Sequence, residues 1–314
     1  MSEAPKSDFL IIDGHALIYR AFHAFPPLTD SEGNFVGALY GFLRILLSVL
    51  KQVQPAYWLV AFDHPAPTKR KLEFPFYKAK RKEMPEELKP QIPQIEEAVA
   101  KLGIPEFKLA GIEADDLIGT ISKLATKSGK IDVLILTGDR DSFQLVDDHI
   151  HVLVPNLGFR RDKQNTSSML EYNAALVEQK MGISPLGIID FKALAGDASD
   201  NIPGVPGVGP KTALGLLAQF GDLDGIYAAV DHNDAQIKAS LLAKLRQGRD
   251  SAYISQKLAT IDREVAVDFD LQACKVAGYN KDEMSTLLMQ YGFKSLIKFL
   301  PEDEFELGLQ EALF

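Results

Sequence analysis

Three short apolar runs in this 314-residue chain each lead into an aspartate: Phe9 to Ile12 into Asp13, Trp58 to Phe62 into Asp63, and Val133 to Leu136 into Asp139 after Thr137-Gly138. Runs of this length and composition read as strands. In a parallel sheet their carboxyl ends open on one crevice, where such folds bind ligands. Glu113-Ala114-Asp115-Asp116 at a helix start, Gly196-Asp197-Ala198-Ser199-Asp200 after an apolar helix, and Asp141 bring the set to nine carboxylates. Nine like charges in one cleft repel strongly at low dielectric, so together they make sense around cations. Taken singly, each acid has an ordinary explanation as a turn residue, a cap or a partner of the helix dipole. Five such segments, each at the end of a buried element, are poorly explained that way.

Oxygen-only donors suit Mg²⁺ or Mn²⁺ rather than Zn²⁺, for which no His/Cys cluster is spaced, and His149-x-His151 reads as structural. Two such ions about 4 Å apart can activate a water, bind a scissile phosphate and stabilise the leaving oxygen.

The elements that must position these acids alternate through the first half. Strands at 8–12, 57–62, 131–136 and 150–154, with helices at about 37–53, 90–102 and 113–127, predict an α/β fold with a mainly parallel sheet and flanking helices. Strand signals stop near residue 170. Helices then follow at 184–195, 210–219, 234–247 and 249–261. The expected organisation is an α/β catalytic domain over 1–175, a helical region over 176–300, and a tail over 301–314.

Two segments suit a phosphate backbone. Between Lys69 and Lys82 seven Lys or Arg stand against the single acid Glu73, interleaved with Phe74, Phe76 and Tyr77. Cations mixed with aromatics fit phosphates and stacked bases, although a solvated helix face would read similarly. The second is the Pro/Gly turn Ile202 to Pro210. Its glycines Gly204, Gly207 and Gly209 allow close backbone approach, and Pro210 opens a helix with Lys211 beside its N-terminus. This resembles a helix-hairpin-helix, a sequence-independent grip on nucleic acid.

Composition bounds the rest. At 46% hydrophobic content the chain can build real cores, and the single cysteine, Cys274, excludes an internal disulfide framework and fits a reducing compartment. With no signal peptide and no run of eighteen apolar residues, a soluble cytoplasmic protein is expected, most simply a monomer. The net charge of −9 would argue against a nucleic-acid ligand, but its distribution matters more than the total.

In order along the chain, Ile12-Asp13-Gly14 with Tyr19-Arg20, Phe62-Asp63, Tyr77 to Arg81, Gly111 to Asp116, Thr137 to Asp141 and Gly196 to Val205 resemble the motifs of the flap endonuclease family, in the form of the 5′ nuclease domain of bacterial DNA polymerase I. The resemblance runs from about Phe9 to Leu300. It implies a PIN-like sheet, a helical arch at about 66–90, and two divalent ions. Asp13, Asp63, Glu113, Asp115 and Asp116 would serve one metal region, and Asp139, Asp141, Asp197 and Asp200 the other. It further implies cleavage of 5′ flaps, nicks and ends of DNA and of RNA–DNA primer junctions, leaving a 5′-phosphate. Lys78 and Arg81 would clamp the scissile phosphate, Arg20 would act from the other side, Lys80 would bind DNA, and Tyr77 would stack on a terminal base. K⁺ is expected at the hairpin. The departures, Lys80 where Asn is familiar and Arg140 where Lys is, keep or add positive charge. No polymerase domain follows residue 300, which leaves a free-standing nuclease or part of a longer chain.

Two rivals belong to other classes. A haloacid-dehalogenase-type phosphatase needs a second Asp two residues after the first, where this chain has His15; a catalytically dead DNA-binding module would have lost the late acids, and Asp197 and Asp200 are present. At the far end, Gln310-Glu311-Ala312-Leu313-Phe314 resembles the Q-x-x-L-F peptide that docks replication proteins on the sliding clamp, so Gln310, Leu313 and Phe314 are expected to bind it.

Overall fold

Strand residues that alternate between two apolar cores determine the architecture. The computed structural model describes residues 9–156, 168–276 and 278–302. Its sheet has six strands: β1 (Phe9–Asp13), β2 (Tyr57–Ala61), β3 (Glu106–Phe107), β4 (Val133–Leu136), β5 (Ile150–Asn156) and β6 (Ser168–Tyr172), in the order β3-β2-β1-β4-β5-β6. All neighbours pair in parallel except β5 and β6. Phe9, Ile11, Leu59, Val133 and Ile135 feed one core, while Leu10, Ile12, Trp58, Val60, Leu134 and Leu136 feed the other. Burial on both faces is why these strands read as unbroken apolar runs.

The second of these cores is covered by α1 (Gly14–Ala24), α2 (Gly37–Val53) and, beyond the five-residue α3 (Lys69–Glu73), α4 (Gln91–Lys101). The first is covered by α5 (Ala114–Thr126) and a helical region: α6 (Ala174–Met181), α7 (Gly187–Ala195), α8 (Pro210–Phe220), α9 (Leu223–Asp231), α10 (Ala239–Gln247) and α11 (Arg249–Ala259). From the central β1 the chain moves first to β2 and β3, then crosses back to β4 and β5. The crevice between β1 and β4 is therefore the switch point of the sheet.

The structure differs from expectation in four places. Strands do end near 170, but a sixth strand, the antiparallel edge β6, precedes that end; Ser-Met-Leu-Glu-Tyr holds no β-branched residue to announce it. The helix placed at 234–247 starts only at Ala239, as α10, and α9 before it is unexpected. The 66–90 segment is not a helical arch. Pro75, Pro85 and Pro90 interrupt it, and after α3 it continues as turns packed onto the protein.

Finally, the chain leaves the helical region before residue 300. Val276 N–H donates to Ala56 O (2.9 Å), and α12 (Lys281–Gln290) with the 3₁₀ turn Lys294–Phe299 packs on α2 and α4. Met284, Leu288 and Leu296, all fully buried, complete the second core. His149 and His151 have the structural roles expected, their Nδ1 atoms 2.8 Å from Asp132 and 2.6 Å from Glu171. Among the described residues no helix is long and apolar enough to cross a membrane.

If residues beyond 276 are core rather than appendage, Leu288→Ala should lower unfolding free energy by about 2–5 kcal/mol, the range for emptying a buried leucine site. Urea unfolding followed at Trp58, the only tryptophan, checks this; a loss under about 0.5 kcal/mol, typical of a surface site, would refute it.

Candidate active site

The acids at the carboxyl edge are fixed by a relay of short bonds. Asp13 caps α1 by accepting from Ala16 N–H (3.1 Å), and its other oxygen accepts from the Thr137 hydroxyl (2.7 Å) at the exit of β4. Thr137 Oγ1 in turn accepts from Asp139 N–H (2.9 Å), and Asp139 Oδ1 from Asp141 N–H (2.9 Å). On the other side, Asp63 Oδ1 accepts from Ala114 N–H (2.8 Å), which seats the first turn of α5 and with it Asp115. Asp63 N–H donates to His15 Nδ1 (3.1 Å). Asp13, Asp63, Asp115 and Asp139 thus line one cleft of about 390 Å³, with Lys78 and Arg81 across it.

This proximity is expressed in the acidities. Burial, reinforced by Asp139 and Asp63 and opposed by the bonds from Thr137 and Ala16, pushes Asp13 up to about 7. Burial with Asp13 and Asp139 holds Asp115 well above the carboxylate range despite Lys78, and burial with Asp139 raises Asp141 to about 6 against the pull of Lys192. Carboxyl groups held this way strongly favour any added positive charge.

The remaining acids are neutralised from within. Arg70 forms a two-pronged pair with Asp116 (2.5 and 2.7 Å) and also donates to Thr260 O (2.6 Å). Lys78 Nζ lies 2.9 Å from Glu113 and 3.8 Å from Asp200, and Arg81 donates to Asp200 (2.6 Å). Burial works against the Lys78 charge, but Glu113, Asp200 and Asp115 outweigh it and raise its pKa. Lys192, buried on α7, pairs with both Asp141 and Asp197. Burial opposes the Asp197 charge, yet the bonds from Lys192 and Ser199 prevail and bring it down to about 2.

The predicted residues therefore fall into groups. Asp13, Asp115, Asp139 and Asp141 form the mutually repelling set, with the exposed Asp63 at its rim. Glu113, Asp116, Asp197 and Asp200 are engaged by cations. Among the described residues no three His, Cys, Asp or Glu side chains converge as a ready-made metal cage. The repelling set nonetheless fits divalent cations chemically: hard oxygen donors, part-buried, with excess negative charge. Asp116 fits least, because one oxygen accepts from both Arg70 and Asp262 N–H (2.8 Å) and the other from Arg70. It is better described as a structural clamp.

Tyr77 also departs from expectation. It is 3% exposed, packs with Ile202 and Leu258, and donates its hydroxyl toward Glu113 (3.2 Å) and Asp200 (3.4 Å), so its ring is not presented to a base. Lys80 is exposed. Arg20 lies on the far side of Asp139 and Asp141, in a second cavity of about 800 Å³ that also meets Lys192 and Asp197. Burial and nearby Arg140 lower its pKa, and its Nε has no partner among the described residues.

In the hairpin, Gly204 is buried with φ +63°, and a Cβ there would lie 2.3 Å from Gly196 N. It positions the turn rather than touching a ligand. Gly207, Gly209 and Lys211 are exposed around the start of α8, whose first N–H groups have no side-chain cap. Gln310, Leu313 and Phe314 lie outside the described residues.

Four further residues escaped the sequence reading. Thr137 and His15 orient acids, and nothing marks such a role in sequence. Arg70 lay unremarked within the basic stretch. Lys192 did leave a signal: a lone cation in the apolar helix five residues before Asp197.

Two family models together cover residues 8–282. Residues 8–182 match the family model "5′-3′ exonuclease, N-terminal resolvase-like domain", and residues 183–282 match "5′-3′ exonuclease, C-terminal SAM fold". DNA polymerase I of Caldicellulosiruptor bescii is 38% identical over 304 residues, 97% of this chain and 34% of that one. That of Pseudomonas aeruginosa is 39% identical over 312 residues, 98% and 32%. The chain thus spans about a third of the length of these relatives. Among solved structures, T5 5′-exonuclease with bound zinc is 21% identical with TM-score 0.62, covering 93% of this chain and 96% of its own. The catalytic core of Rad2 in complex with DNA substrate is 19% identical with TM-score 0.61, covering 94% and 92%. At these identities the likeness is one of fold.

The raised pKa values of Asp13, Asp115 and Asp141 have a thermodynamic consequence. Between about pH 4 and 7 the folded chain binds more protons than the unfolded one, so stability contributed by these groups falls as pH rises through that window. Asp197, shifted the other way, acts only between about pH 2 and 4. In chelator at pH 7.5, Asp115→Asn should therefore raise the melting temperature by about 2 °C or more. Thermal melts check this; a lower melting temperature at pH 7.5 would refute stored repulsion.

Proposed function

Because the chain belongs to the 5′-3′ exonuclease family, we propose that it hydrolyses phosphodiester bonds at 5′ ends, nicks and 5′ flaps of DNA, and at RNA–DNA primer junctions, with Mg²⁺ or Mn²⁺ and leaving a 5′-phosphate. One observation carries this reading: a set of unneutralised carboxylates at the switch point faces cations whose present partners are themselves acids. Asp13, Asp63 and Asp115 would hold one ion and Asp139, Asp141 and Asp197 the other, with Glu113, Asp116 and Asp200 supporting them. Bound there, divalent ions supply an activated water and neutralise charge on the phosphate.

The protein's own groups do the rest. A phosphate entering the cleft offers Lys78 and Arg81 the same oxygen chemistry as Glu113 and Asp200, so both can exchange a carboxylate for substrate without leaving a buried charge unpaired. Their cations then face the charge that builds on the phosphate as it is cleaved. Arg20 and Lys192 are suited to hold it from the opposite cavity. The 66–90 segment can rise into an arch only if these pairs open. Away from the chemistry, the open start of α8 with Lys211 would grip the duplex backbone, with K⁺ held at the hairpin turn. The terminal Q-x-x-L-F peptide would dock on the sliding clamp, and a monomer acting in the cytoplasm is the simplest setting.

Asp139→Asn should abolish cleavage of a 5′-labelled flap duplex in Mg²⁺ while leaving binding in Ca²⁺ within several-fold, since removing anionic charge does not weaken phosphate attraction. Undiminished cleavage would overturn the assignment. Lys78→Ala and Arg81→Ala should each lower the single-turnover rate roughly 10²-fold. Lys211→Ala should instead weaken duplex binding and reduce its salt slope by about one counterion. Deleting residues 310–314 should leave flap cleavage unchanged and eliminate clamp binding, measured by calorimetry.

A further inference from the structure

With Tyr77 turned inward, the aromatic ring that the basic stretch shows to solvent belongs to the residue before it. Phe76 is 39% exposed, whereas Phe74, its one ring partner among the described residues (centroids 5.9 Å apart, edge to face), packs with Tyr77, Ile202 and Leu258. We propose that Phe76 is the platform on which a base of the single 5′ strand stacks beside the cleft. The role is one of positioning substrate, and it rests on the flap substrate of the proposed function. An exposed phenylalanine taken alone is unremarkable. Its surroundings give this one a ligand.

The backbone that carries the ring is tied down on both sides. Asn201, next to Asp200 and held at φ +55°, donates its side-chain amide to Phe76 O (2.7 Å), and Lys78 N–H donates to Asp200 O (2.9 Å). A fixed backbone lowers the entropy lost when a partner packs on the ring. The surface around it is cationic. Of the seven Lys and Arg between 69 and 82, Arg70, Lys78 and Arg81 are engaged by acids. Lys69, Lys71, Lys80 and Lys82 are exposed and meet no carboxylate among the described residues, while the one acid of the stretch, Glu73, is paired with Lys257. Such a surface attracts a phosphate chain, and every nucleotide of a single strand brings a π face along with its charge. No more than about 7 Å of chain separates Phe76 from Lys78, which lines the cleft with Arg81 and Lys82. A strand bound at Lys78 thus has its neighbouring nucleotides within reach of the ring.

Full-length chains carrying Phe76→Ala, Phe76→Leu or Phe76→Trp test this in Ca²⁺, so that binding is read without cleavage. The ligands are a duplex with a 5′ flap of about four nucleotides, a short stretch on the scale of single-strand sites, the same flap with one base removed at each position in turn, and the nicked duplex without a flap. Phe76→Ala should weaken binding of the complete flap about tenfold, as loss of one stacked base does, and leave the nicked duplex unchanged. At one flap position the base-free ligand should bind the parent and Phe76→Ala equally, as a mutant cycle on one contact requires. Phe76→Trp should restore affinity and Phe76→Leu should not, because leucine offers apolar surface without a ring face. The fluorescent base 2-aminopurine at that position should be quenched by the parent and by Phe76→Trp and stay bright with Phe76→Ala. A loss that is the same on every base-free flap, full recovery by leucine, or no loss at all would overturn the proposal and leave the nuclease reading standing. A parent that binds the flap no better than the nicked duplex would overturn the flap reading and the proposal together.

Discussion

Repulsion among carboxylates at the carboxyl edge of the sheet is the constraint around which the rest of this molecule is arranged. Asp13, Asp115, Asp139 and Asp141 are held close by a backbone that cannot move them apart, because Asp13 ends β1, Asp139 follows β4 by three residues, and Asp115 and Asp141 lie in the first turns of α5 and of a 3₁₀ turn. Isolated charges in such a place would be expelled or protonated. The protein meets the problem in two ways. It raises the proton affinity of one subset, and it supplies the other with its own cations, Arg70, Lys78, Arg81 and Lys192, the last shared with Asp141 of the first subset. The cleft is thus poised between neutralisation by protons, by side chains and by added cations, and a divalent ion acts on every member of the set at once.

The cations differ in what they can give up. Arg70 is committed: its guanidinium binds Asp116 in two-pronged fashion and ties the end of α11 through Thr260, so withdrawing it would break contacts that join the helical region to the sheet. Lys78 holds a backbone conformation with φ +54°, unusual for a residue with a side chain, and Arg81 is half in solvent. A strained residue beside a solvated one is a poor anchor and a good latch. The segment carrying both packs against the helical region through Tyr77, so the position of that region and the setting of the latch are mechanically coupled.

Much of this was legible in the sequence, for reasons that can be named. Strands buried on both faces write themselves as apolar runs, and acids placed directly after them mark the edge without any knowledge of tertiary contacts. Two of the three hairpin glycines were equally clear, since Gly204 and Gly207 adopt positive φ, whereas Gly209 is extended. Pairing was not legible. Whether Asp116 faces an ion or Arg70, and whether Tyr77 faces a base or Glu113, depends on residues 36 to 46 positions away. The return of the chain to the α/β core after residue 276 was hidden for a similar reason. The pattern of α12 says that one face is buried, and does not say against what.

That return imposes an order of events on the newly made chain. The apolar faces of α2 and α4 are complete once residue 101 has emerged, yet the side chains that seal them, Met284, Leu288 and Leu296, come after the whole helical region. At a synthesis rate near 5–20 residues per second, that leaves a greasy surface open for about 10–40 s. Over that interval the half-made protein is a natural client for chaperones that recognise exposed aliphatic surface at the ribosome exit.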